Sequence, residues 1–159
     1  MIEDSAATLH AQLALHALAQ PSATAMLSPG RRAIGYAELF AIVRSLRPWL
    51  ASRGLSPASR IAVVMPSGLE SAVATLAIGA QATCIPLHPA LPEPELLALL
   101  ADARADAVVG LPGDAVAARL ARTLGLVPLD FDLPHWLASP SEGCTCIFDT
   151  VDGGVAVQA

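Results

Sequence analysis

The sequence contains no lysine: all nine of its Lys+Arg residues are arginine. That absence excludes, within these 159 residues, any mechanism that needs a Schiff-base lysine or the phosphate-binding lysine of a P-loop. Charge of either sign is scarce, at 14% of residues, and aromatics make up only 4%. No basic stripe is present and the net charge is −5, which argues against nucleic acid as a partner. Cysteine is limited to Cys84, Cys144 and Cys146, with no CxxC pair. Three scattered thiols do not supply the four ligands at recognisable spacing of a structural zinc site, and read instead as reduced thiols of a cytoplasmic protein. The opening MIEDSAATLH has no basic segment, so a secretory signal is not expected. Residues 71–92 lack formal charge, yet Gln81, Pro86, Pro89 and Pro92 interrupt them, and a membrane span needs ~20 apolar residues in one run.

What is present is apolar: 54% of residues, mostly alanine and leucine. The surface must then be weakly charged and partly apolar. Two readings stand: a face that meets another domain or subunit, or an alanine-rich composition with no partner. The length suits one domain, here taken as 1–159, with a core large enough to need no staples.

Along the chain, residues 5–19 carry Leu9, Leu13, Leu15 and Leu18 and predict a helix ended by Pro21. A short hairpin around Gly30 follows. Residues 36–53 show Leu39, Val43, Leu46 and Leu50 at helical spacing, with Pro48 expected to kink or shorten that helix and Gly54 to lie just past its end. RIAVVMP at 60–66 and TCIPL at 83–87 read as short buried strands, with Pro86 near a strand end. Between them Ser67 and Glu70 have the spacing of a capping box. Pro92 opens the next helix, DAVVG at 106–110 is a strand, Asp114 lies in the first turn of a further helix, and LVPLD is another strand. Residues 131–143 read as a loop, and 144–159 as a last strand, CTCIFDT, with a tail. Strand and helix alternate throughout, which predicts an α/β fold: a wound, mostly parallel sheet with helices on both faces.

Other constellations carry no chemistry. His10, His16, His88 and His135 are scattered and read as surface or part-buried residues rather than metal ligands or bases. Asp130 with Asp132, and Asp149 with Asp152, lack further oxygen ligands and read as solvated loop acids. SPSEGCT places a Ser, a Cys and an acid together without a base at known distance. Trp49 and Trp136 read as core or interface packing.

Residues 34–110 resemble the N-terminal part of the adenylate-forming superfamily, which includes AMP-dependent acyl-CoA synthetases, acyl-AMP ligases and peptide-synthetase adenylation domains. IGYAEL at 34–39 resembles its first core motif, RGLSPASRIAVVMPSGLE at 53–70 its next strand and helix start, and residues 76–109 the stretch holding its second core motif. Gly79, Ala80, Pro86, Leu87 and Pro89 fall in the matching places. The resemblance gives Tyr36 and Glu38 a structural role at a helix start. It implies a ligase that makes an acyl-adenylate from ATP and a carboxylate, and often then a thioester.

The family's first chemical motif is a Ser/Thr- and Gly-rich phosphate loop ending in Pro-Lys-Gly after a strand. CIFDTVDGGVAVQA at 146–159 stands at that place. It offers Thr150, but Asp152 brings negative charge toward phosphates and Gln158 falls where the lysine belongs. No catalytic, cofactor-binding or metal residue is therefore assigned. ATP, Mg and CoA are implied only for a full-length member. The expectation is a truncated or N-terminal portion of an AMP-forming acyl-activating ligase, itself not catalytic, or alternatively a scaffold protein derived from that fold. Either would leave apolar surface for self-association or for a missing downstream domain.

Overall fold

A computed structural model of the chain describes residues 8–133 and 148–149. Helix α1, Leu9–Ala19, starts where the Thr8 hydroxyl accepts the Ala11 N–H at 3.1 Å. This is a side-chain cap for a free first-turn donor. Of the four leucines on which the helix was predicted, only Leu13 is buried, while Leu15 is 53% and Leu18 82% exposed. The spacing explains the difference: two residues turn a helix by about 200°, so Leu15 cannot share the face of Leu13.

The hairpin pairs β1, Thr24–Met26, with β2, Ile34–Gly35, antiparallel. Gly30 lies in the connecting segment at φ +70°. Helix α2, Tyr36–Ser52, buries Leu39, Ile42, Val43, Leu46, Trp49 and Leu50. Pro48 does not shorten it. Pro48 and Arg44 are both exposed, so the Arg44 carbonyl that loses a helical donor can take water instead. Gly54 lies past the end as expected, at φ +74°, and Leu55 N–H returns to the Leu50 carbonyl at 3.0 Å.

The wound sheet follows: β3 Arg60–Val64, α3 Leu69–Gly79, β4 Thr83–Leu87, α4 Glu93–Asp102, β5 Ala107–Gly110, α5 Ala115–Leu124 and β6 Val127–Phe131. The strand order is β4-β3-β5-β6-β7, where β7 is Phe148–Asp149. Four strands run parallel and β7 is antiparallel to β6. The remainder of the last strand expected at 144–150, most of the loop at 131–143, and the tail lie outside the described residues. Phe131 belongs to β6 rather than to that loop.

Three further expectations need correction. Ser67 and Glu70 form no capping box: α3 begins after Gly68 with no side-chain cap, and the Glu70 carboxylate is taken by Arg31. Strand β4 is not buried but forms the sheet edge, with Thr83 and Pro86 exposed. Thr83 N–H bonds the Ser59 carbonyl, and the Leu87 carbonyl accepts from Met65, so residues 83, 85 and 87 turn their backbone groups toward β3. Cys84 and Pro86 turn theirs to the open edge, where a missing N–H costs no ladder bond. Asp114 sits just before α5 rather than within its first turn, and accepts from Val116 N–H at 2.8 Å and Ala117 N–H at 3.4 Å.

The chain steps from β3 outward to β4, then back across β3 to β5. Crossovers of the usual right hand then place α3 and α4 on opposite faces. Accordingly Ile61, Val63, Val109 and Leu129 pack under α1, α2 and α3, while Ala62, Val64 and Val108 pack under α4 and α5.

Candidate functional site

Open α/β sheets bind ligands beyond the carboxyl ends of their strands, where the winding reverses. Here that point lies between β3 and β5 and is bounded by residues 65–68 and 111–114. Pro66, Ser67, Gly68, Pro112 and Gly113 are exposed there, and Gly113 takes φ +76°. The Asp114 carboxylate already occupies the first N–H groups of α5. At the start of α3, Arg31 reaches from the hairpin connection to pair with Glu70.

Beside the hairpin, an open cleft of about 350 Å³ is lined by Pro21, Thr24, Arg32, Gly35 and Glu38. Its two charged groups neutralise each other, Arg32 Nη1 lying 2.7 Å from Glu38 Oε1. Glu38 also accepts the Gly35 N–H at 2.9 Å, which fixes the entry to α2. A Cβ on Gly35 would stand 3.0 Å from the Pro21 carbonyl oxygen, so a glycine lets the chain close there. Tyr36 stacks on His16 with ring centres 4.9 Å apart. Tyr36 and Glu38 thus hold a helix start, the structural role expected of them.

The other residues singled out by sequence are dispersed. His10 meets Phe40 edge-on and Gln81 by a hydrogen bond, and His88 Nδ1 accepts from Ala90 N–H at 3.2 Å. Trp49 is buried under the guanidinium of Arg53, 3.9 Å from the ring centre. Burial pushes the Cys84 thiol up to about 11, against a smaller opposing effect of a hydrogen bond with Thr75. A thiol so raised is a poor nucleophile. His135, Trp136, Cys144, Cys146, Thr150, Asp152 and Gln158 lie outside the described residues, and for Asp149 only the backbone is described.

Among the described residues no three His, Cys, Asp or Glu side chains come together as a metal group would require, and no helix is long and apolar enough to cross a membrane. Among the contacts that sequence reasoning missed are Arg31–Glu70 and His10–Gln81, whose partners are 39 and 71 residues apart. No local pattern signals them.

Comparison with known proteins gives this geometry a context. The family model described as AMP-binding enzyme matches residues 13–140. A probable nonribosomal peptide synthetase of Salinispora arenicola, CymA, is 38% identical over 89 residues, which is 55% of this chain and 1% of that protein. Among solved structures, MatB from Rhodopseudomonas palustris superposes with a TM-score of 0.66 at 28% identity, over 78% of this chain and 25% of its own. VinN in complex with 3-methylaspartate gives a TM-score of 0.65 at 24% identity, over 76% of this chain and 33% of its own. A Mycobacterium tuberculosis fatty acyl CoA synthetase shares the fold at a TM-score of 0.62 and 21% identity, over 74% and 23%. The chain therefore spans about a third or less of the length of these proteins.

Proposed function

The chain belongs to the AMP-binding enzyme family, and on that footing we propose that it is the N-terminal portion of an AMP-forming acyl-activating ligase, a scaffold that does not itself catalyse. One observation carries this reading most directly. The family match extends over residues 13–140, yet Arg31 and Arg32 of the hairpin connection are spent on the carboxylates of Glu70 and Glu38. Electrostatic stabilisation of a transferring phosphoryl group needs cations aimed at the substrate, and paired arginines do not offer them. ATP, Mg and CoA belong in this proposal to a longer chain, in which this segment would support the walls of the site.

Titration of the 159-residue protein with Mg·ATP and with a non-hydrolysable acyl-adenylate tests the claim. The expected outcome is no saturable heat in a calorimeter with either ligand. Saturable binding of the nucleotide would overturn the assignment of an inert segment.

Exposed leucines favour a second reading, a scaffold that meets another protein surface. Leu15, Leu18 and Leu27 are 53%, 82% and 79% exposed. Sedimentation at tens of micromolar, an ordinary range for a modest interface, is expected to show a dimer or larger species. A clean monomer would leave only the first reading.

A further inference from the structure

Helix α1 is held by little apolar burial. Of its 11 residues only Leu13 is buried, and His10 makes a polar attachment to the body. The Gln81 amide nitrogen stands 3.0 Å from His10 Nδ1 and 3.1 Å from the Val43 carbonyl oxygen. A carbonyl can only accept, so one N–H of the amide goes to Val43. Turning the amide over would set its oxygen against that carbonyl. The second N–H consequently points at Nδ1, which must carry a lone pair, and the ring proton resides on Nε2. A doubly protonated imidazole would oppose N–H to N–H and lose the bond.

We propose that α1 is an acid-released cover, clasped to α2 and to the turn after α3 by the neutral ring of His10. Release uncovers Phe40, which His10 meets at 5.3 Å between ring centres, and the core cluster to which Leu13 belongs. The ionisable groups on the elements packed here are Tyr36, Glu38, Arg44 and Arg47 of α2, Glu70 of α3 and Cys84 of β4. Glu38 and Glu70 are engaged by Arg32 and Arg31, and none of the six forms a hydrogen bond or ion pair with His10 that would accept a second ring proton. His16 is a second histidine of α1, in its last turn and stacked on Tyr36. The two histidines must therefore be separated in any test.

Hydrogen exchange of the full chain carrying His16→Phe, corrected for intrinsic rates and compared at about pH 7.5 and about pH 5.5, either side of ordinary histidine titration, reads the clasp directly. Protection of α1 amides is expected to fall about tenfold at the lower pH, the scale of one lost hydrogen bond, while α4 amides hold theirs. Adding His10→Asn, whose Oδ1 can take the place of Nδ1, abolishes that fall. Gln81→Met gives low α1 protection at both pH values. Protection of α1 that does not change with pH overturns the proposal. So does a fall that persists in the His10→Asn protein, or one shared equally by α4.

Discussion

The two faces of the sheet are filled in different ways. Under α1, α2 and α3 the packing is by large side chains: Ile34, Leu39, Ile42, Leu46, Ile61 and Phe131 are all 2% exposed or less. Under α4 and α5 much of it is by alanine, with Ala62, Ala105, Ala117 and Ala121 buried beside Leu96, Leu100 and Leu120. The first face holds its helices off the sheet with bulk, and its stability resides in the volume of those side chains. The second brings helix and strand into close approach. Gly110 ends β5 so near α5 that an added Cβ would lie 2.5 Å from the Ala117 Cβ. The two faces should fail in opposite ways, one through lost volume and the other through added volume.

The largest effect is expected from Phe131→Ala, which empties the biggest fully buried side chain of the first face. Urea unfolding should show a loss of about 3–5 kcal/mol; a loss below about 1 kcal/mol would mean that the face tolerates cavities and is not held by volume. Next comes Gly110→Ala on the second face. Overpacking there should cost about 1–3 kcal/mol, and adding Ala117→Gly should recover part of it, because the clashing carbon is removed even though a helical glycine costs about 1 kcal/mol. If the double variant is no more stable than the single one, close approach is not what sets this face.

Smallest in its effect on stability is the thiol of Cys84, which packs against the first face from the edge strand. Its folded value of about 11 exceeds the ordinary 9.0, so the folded state holds the proton more tightly. Below pH 9.0 this leaves stability unchanged, and from there toward about 11 stability falls as the unfolded state ionises first. At about pH 8 alkylation of Cys84, followed by mass spectrometry, should be about a hundredfold slower than for a free thiol. Rapid labelling would show that β4 opens locally.

Much of the fold was legible because both faces of the central strands are covered. RIAVV and AVVG read as continuous apolar runs, and both prove buried apart from Arg60 at the start of the first. Gly54 announced a helix end by local chemistry alone, and Asp114 a helix beginning. TCIPL did not yield in the same way. Its apolar residues look like those of a central strand, and only the order β4-β3-β5-β6-β7 makes it an edge. Ser67 and Glu70 had the spacing of a cap, but a carboxylate answers to the nearest cation, and Arg31 arrives from the hairpin. Of the candidate site, the local sequence showed which charged residue types are present but not which of them pair. With no lysine in the chain, the remaining question was where the arginines point, and Arg31 and Arg32 point at carboxylates.

The sequence by itself determined the alternation of strand and helix and the family, since each depends on residue type and short-range spacing. Tertiary structure alone decided which strand is an edge, which leucines of α1 meet the core, and which groups pair across distances such as His10 to Gln81. Those depend on how non-local elements come to share one surface, and no local period carries that information.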